Sequence, residues 1–163
     1  MRIPCPYCGP RTHDEFTYHG DATVRRPSAT GPDAEAAFYE ALERADLEAM
    51  MSVWAEDEEI VCIHPGGPRL VGYASIREAW RRMFDGGARL QVRLSQPTIV
   101  QGPLATATTV MEHISVRDDE SVRPPLVATN VYVRGALGWR MVLHHASPTP
   151  PDAGPEVARK TLH

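Results

Sequence analysis

Apolar residues recur along this chain first with a helical period and then with a period of two. Asp33 opens a helix through about Arg44, with Phe38, Leu42 and Ala45 on one stripe at i, i+4 and i+7. Asp46 caps a second, short helix whose Leu47, Met50, Met51 and Trp54 share a face. Residues 58–64 read as a buried strand, and Pro65-Gly66-Gly67-Pro68 as a turn. A third helix begins at Ser75, turns Ile76, Ala79, Trp80, Met83 and Phe84 inward, and stops at Gly86-Gly87. Beyond it the period becomes two, which predicts strands over about 88–101, 104–117, 125–134 and 138–147. Gly102-Pro103, Asp118-Asp119-Glu120 and residues 135–138 join them. Helices followed by a run of antiparallel strands predict an α+β fold, with three helices packed on one face of a curved, mostly antiparallel sheet.

Outside this region the pattern fades. Residues 1–32 hold no helical or strand period long enough to stand alone, and 149–163, after Pro148 and with Pro150, Pro151 and Pro155, form an extended Pro-rich tail. The chain thus divides into an irregular extension (1–32), a folded domain (33–148) and a tail (149–163). Its 163 residues suffice for one such domain, and a hydrophobic content of 42% with 23% charged residues supports an ordinary core. Seventeen Lys+Arg against twenty-one Asp+Glu leave a net charge of −4, so no basic footprint for nucleic acid is expected. No stretch nears the ~18–20 apolar residues of a membrane span. No apolar run follows Met1-Arg2-Ile3 in the manner of a secretory signal. A cytoplasmic protein is expected.

Strand alternation sorts the polar residues by face. Glu112 shares a side with Leu104, Val110, Ile114 and Val116, so its carboxyl is expected among apolar groups, where burial raises its pKa and suits it to general acid–base work. On the last strand the same count places His145 inward with Trp139, Met141 and Leu143, and His144 outward. His64 falls with Ile60 and Cys62, and Asn130 with Ala128 and Tyr132. Glu112, His145 and His64 are therefore the candidate catalytic residues, and Asn130 and Tyr132 the candidate pocket residues. The structural alternative stays open for the first three: Glu112 pairs with Arg140 or Arg93, and each histidine satisfies a backbone carbonyl. Cys62, between Val61 and Ile63, reads as a small buried hydrophobe, and Trp54 and Trp80 as core.

Cys5-x-x-Cys8-Gly9 is half of a zinc knuckle: two thiolates at this spacing bind one side of a tetrahedral ion. Further ligands would come from His13, His19, Cys62 or His64, the last two pointing towards the core. The alternative is a remnant pair that binds nothing. No strand–helix pattern surrounds the pair, which argues against thioredoxin-like redox chemistry.

Two resemblances extend this reading. Asp46-Leu47, Trp54, residues 61–67, Leu70-Val71-Gly72, Ile76-Arg77, Trp80, Asn130-Val131-Tyr132, Gly138-Trp139-Arg140 and residues 144–147 make 33–148 similar to the nuclear transport factor 2 (NTF2)-like superfamily, in its SnoaL-like, ketosteroid-isomerase-like branch. The resemblance implies a cone, a curved sheet wrapped around helices, with a small-molecule pocket at its open end. The superfamily spans isomerases, dehydratases, hydrolases, binders and assembly domains, so it does not single out one activity. Residues 1–11, Glu15-Phe16-Thr17-Tyr18, Gly20-Asp21-Ala22 and Arg25-Arg26-Pro27 resemble the start of a sarcosine oxidase delta subunit. That family's small subunit belongs to a flavoenzyme oxidising N-methyl amines and holds zinc. Cys5 and Cys8 match its first two ligands, while its other two fall where this chain carries the NTF2-like domain.

The preferred functional expectation is an accessory, delta-like subunit of a multi-subunit sarcosine-oxidase-like flavoenzyme. No G-x-G-x-x-G occurs, so neither flavin nor dinucleotide is expected on this chain alone. The alternatives are a free-standing enzyme working by proton transfer (an isomerase, dehydratase or hydrolase) and a binding domain without chemistry. The apolar stripe of Val127, Val131 and Val133 on the other sheet face predicts a homodimer.

Overall fold

The computed structural model describes residues 28–149 apart from 118, 120 and 122. Three helices precede four long strands, with two short strands between the second and third helices. Helix α1 spans Gly31–Arg44, α2 Leu47–Val53 and α3 Tyr73–Asp85; strands β1 Val61–Ile63 and β2 Arg69–Val71 are short, and β3 Leu90–Gln101, β4 Ala105–Val116, β5 Leu126–Gly135 and β6 Gly138–Pro148 are long.

Local chemistry explains where the helices start. Thr30, not Asp33, caps α1: its hydroxyl accepts from the Asp33 N–H at 3.1 Å, Pro32 lies in the first turn, and Asp33 adds negative charge there. Asp46 caps α2 as expected, accepting from the Ala49 N–H at 2.9 Å. Helix α3 begins two residues before Ser75, because Gly72 at φ 86° lets the chain turn straight from β2 into the helix.

The six strands form one curved sheet in the order β2-β1-β6-β5-β4-β3. Neighbours are antiparallel except β1 and β6, which run parallel with Cys62 opposite His144. The sheet is therefore mixed, and β2, which directly follows the expected turn of residues 65–68, is an extra strand. A three-residue strand, Arg69-Leu70-Val71, is too short a run to show a strand period in sequence. The helices cover one face. Phe38, Met50, Trp54, Ile76, Trp80, Tyr132 and Met141 are fully buried there, which confirms Trp54 and Trp80 as core, and Cys62 is completely covered. Among the described residues no helix is long and apolar enough to cross a membrane.

One irregularity changes which side chains face inward. Along β5 and β6, Val131 pairs with Leu143 and the next pair is Tyr132 with Met141, so Val142 is an extra, bulged residue. Strict alternation breaks at that point. Trp139 and Met141 face the core, and so do His144 and Ala146, while His145 is exposed. The expected inward His145 and outward His144 are thus reversed: one inserted residue moves every later side chain to the opposite face.

Candidate functional site

The inner face of the sheet presents its polar groups in rows set by strand register. Thr106 lies opposite Tyr132, Thr108 opposite Asn130, and Asn130 opposite His144 across the next pair. Glu112 stands at the far end of the same face of β4. Helix α1 crosses above and contributes Glu35 and Tyr39, one turn apart on the stripe that carries Phe38 and Leu42.

These groups are joined in one directed network. His144 Nδ1–H donates to Asn130 Oδ1 at 2.7 Å, the tautomer following from the acceptor it meets. The Asn130 amide donates to Tyr39 Oη at 3.1 Å and to Glu35 Oε1 at 3.0 Å. Thr108 Oγ1 donates to the same Glu35 oxygen. Tyr39 Oη–H donates to Glu112 Oε1 at 2.8 Å. Glu112, Tyr39, Asn130 and His144 are each at most 6% exposed, and Glu35 is half-buried.

Burial sets the protonation states. It lifts the Glu112 carboxyl above its usual range, Glu35's charge adding to the shift and the Tyr39 hydroxyl opposing it. It raises the Tyr39 phenol strongly, reinforced by Glu112. It pushes His144 down to about 3, so that imidazole is neutral. His64 is lowered by burial too, and the Cys62 thiol is pushed up to about 12.

The candidates chosen from sequence separate into three groups. Glu112, Asn130 and Tyr132 share the inner face, the first two linked through Tyr39. His64 lies next to them: its ring meets the Trp80 edge at 4.6 Å and is 6.2 Å from His144, while Nε2 is 3.3 Å from Cys62 Sγ. His145 is on the other face. Neither Arg140 nor Arg93 pairs with Glu112, whose partner is Tyr39. Glu35, Tyr39, Thr108 and His144 are additions from the fold. Glu35 and Tyr39 were within reach of the sequence, lying seven and three residues before Leu42 on one helical stripe.

Among the described residues, four buried polar atoms have no hydrogen-bond partner: Trp54 Nε1, Trp80 Nε1, Thr106 Oγ1 and Tyr132 Oη. Two surface clefts among the described residues lie away from the network. One of about 250 Å³ sits between α1, α2 and Arg140, and another of about 500 Å³ lies at the β3–β4 end beside Arg93, His113 and Arg123. Cys5 and Cys8 fall outside the described residues, and among the described residues no three His, Cys, Asp or Glu side chains are grouped to hold a metal.

A curved mixed sheet of six strands with three helices on one face, enclosing a polar cluster, is the architecture of NTF2-like proteins. Within that class the chain belongs to the SnoaL-like domain family, whose model matches residues 33–151. The model of the sarcosine oxidase delta subunit family matches residues 2–47. Among solved structures, a Thiobacillus denitrificans protein named for a calcium/calmodulin-dependent protein kinase type II association domain is 42% identical. The match covers 76% of this chain and 98% of that one, with a TM-score of 0.68. A Streptomyces avermitilis protein of the NTF2-like family, given the name of a dehydratase, is 31% identical over 72% of this chain and 91% of its own, with a TM-score of 0.66. The F-box protein SKIP8 of Arabidopsis thaliana is 26% identical over 112 residues, 68% of this chain. The chain spans 46% of that relative's length.

Proposed function

We propose that this protein is an accessory, delta-like subunit of a multi-subunit sarcosine-oxidase-like flavoenzyme acting on N-methyl amines, its SnoaL-like domain serving as a homodimeric body in the cytoplasm. The observation that carries this reading is the delta-family match over residues 2–47, which runs without a break into α1 of the SnoaL-like domain. The domain's interior is consistent with such a role, since Glu112, Tyr39, Asn130 and His144 bond chiefly to one another. The relative named for an association domain supports an assembling body. Oxidation chemistry would belong to the partner's flavin.

Zinc enters this reading through Cys5 and Cys8. Cys62 and His64 fit poorly as the missing ligands, because Cys62 is completely covered in the core with its Sγ against His64 Nε2. His13, His19 or a partner's residues would complete the site. Purification from the native host tests both points. The reading expects large flavoprotein subunits to co-elute, with stoichiometric zinc that the Cys5→Ser, Cys8→Ser double variant loses. A chain that elutes alone, with no flavin absorbance, refutes the subunit role.

A second reading, a free-standing proton-transfer enzyme, is favoured by one observation. The buried Glu112 carboxyl, raised by burial, is bonded to the Tyr39 phenol and linked through Asn130 to half-exposed Glu35. The relative with a dehydratase's name points the same way. Under this reading Glu112→Gln abolishes turnover while leaving co-purification unaffected.

A further inference from the structure

The cleft of about 500 Å³ at the β3–β4 end is lined mainly by hydrogen-bond donors. Arg93 and His113 are register partners across β3 and β4, so a guanidinium and an imidazole stand side by side with no carboxylate between them. Gln91 and Ser115 form the next such pair on the same face, since alternate residues point to the same side. That face is the one opposite Glu112, so the cleft is separate from the buried network. Ser121 and Arg123, from the loop between β4 and β5, add two further donors to the lining.

Among the described residues two carboxylates lie at this cleft, and the fold engages both. Glu43 Oε1 accepts the Val92 N–H at 2.8 Å, which ties α1 to the edge strand. Asp119 Oδ1 accepts the Ser121 N–H at 2.9 Å and Oδ2 accepts from the Arg123 guanidinium at 2.7 Å, so Asp119 holds Arg123 in place. A guanidinium has several N–H donors, and Arg123 keeps the others. Ser95 Oγ meets His113 Nε2 at 2.8 Å, which fixes the ring and leaves Nδ1 without a partner among the described residues. Arg93 makes no ion pair among the described residues. Neither do Arg89 and Arg117, whose backbones meet at the same end through a 2.8 Å bond from the Arg117 N–H to Arg89 O. The described groups at this end thus carry more positive than negative charge, in a chain whose net charge is −4. Asp118 and Glu120, in the same loop, lie outside the described residues.

Exposed arginines need no partner in water, so their exposure alone argues for nothing. Their convergence does, because donors from two strands and a loop line one concavity of the size that takes a small organic molecule. We propose that this cleft binds a small phosphate-bearing molecule. Arg93 and Arg123 grip the phosphate oxygens, each planar guanidinium matching a pair of them, while Ser115, Ser121 and His113 Nδ1–H donate to the rest. A carboxylate has fewer oxygens to engage these donors than a phosphate ester has. The volume exceeds that of a phosphate group and leaves room for the organic part attached to it. This site is independent of both a flavoprotein partner and the Glu112 network, so its test uses the full chain by itself.

The test is calorimetric titration with sodium phosphate and with phenyl phosphate in a chloride buffer at constant ionic strength, with sodium acetate as the control. Saturable binding of both phosphates is expected, and weaker or no binding of acetate. Arg93→Gln, a change at an exposed position checked for an unchanged thermal melt, should weaken phosphate binding by roughly tenfold. Arg134→Gln removes the same charge at an exposed position outside the cleft, and should bind as the wild type does. Absence of saturable binding by either phosphate overturns the proposal, and is the result if the Asp118 and Glu120 carboxylates occupy these donors. Acetate binding as tight as phosphate, equal binding by wild type and Arg93→Gln, or an equal loss in Arg134→Gln overturns it as well.

Discussion

His144 and Glu112 respond to pH in opposite senses, and the sign follows from which protonation state the fold accepts. His144 is held at about 3 in the folded chain against 6.5 for an ordinary histidine, mainly because burial disfavours the charged ring. The unfolded chain therefore takes up a proton between those values that the folded chain refuses. This contribution to stability is complete above about 6.5 and is lost as pH falls towards 3. Glu112 has a raised folded pKa, so its contribution is complete below the unfolded carboxyl value and is lost as pH rises through the folded one. Urea midpoints measured across pH should thus show a shallower acid limb for His144→Gln and a higher plateau at neutral pH for Glu112→Gln. Asn130 is the junction of the network, with its carbonyl and both amide hydrogens engaged. Asn130→Leu should cost at least about 1–3 kcal/mol in urea unfolding, because it strands the His144, Tyr39 and Glu35 groups. The Glu112 placement was legible from alternation alone. That of His144 was not, because nothing in the residue types around Val142 marks a bulge.

Helix α1 reaches the sheet through its first residue. A Cβ on Gly31 would stand 2.8 Å from both Cβ and Oγ1 of Thr106, closer than atoms can pack without a shift. Gly31→Ala should therefore destabilise the fold by about 1–3 kcal/mol, read as a lowered urea midpoint. Were the change neutral, α1 would have to sit further from β4, and the Thr108–Glu35 bond would not form as described. Element boundaries were largely legible in the sequence: the four long strands fall within two residues of the alternation, and α2 begins at its expected Asp46 cap. The differences have local causes. A threonine replaces Asp33 as cap because its hydroxyl lies three residues before a free N–H, and β2 exists because β1 supplies an edge for three residues to pair with.

At the scale of the molecule, the outer sheet face is the open question. Val127, Val131 and Val133 are only half-buried there, on a face that carries none of the described helices. A homodimer covering it should sediment at twice the 18.0 kDa chain mass, and Val131→Arg should return a monomer without unfolding the chain. A wild-type chain that sediments as a monomer at micromolar concentration rules out this assembly. The sequence by itself determined the α+β class, the helices, the long strands and the core aromatics, because each rests on a period that neighbouring residues repeat. It also placed Glu112, Asn130 and Tyr132 on one face. Only the tertiary structure decided that β1 runs parallel to β6, that Val142 bulges and so brings His144 rather than His145 inward, and that Glu35 and Tyr39 complete the network. The reason is physical: alternation and helical stripes are local, whereas a bulge, a parallel pairing and a hydrogen bond across 73 residues arise only when distant segments meet.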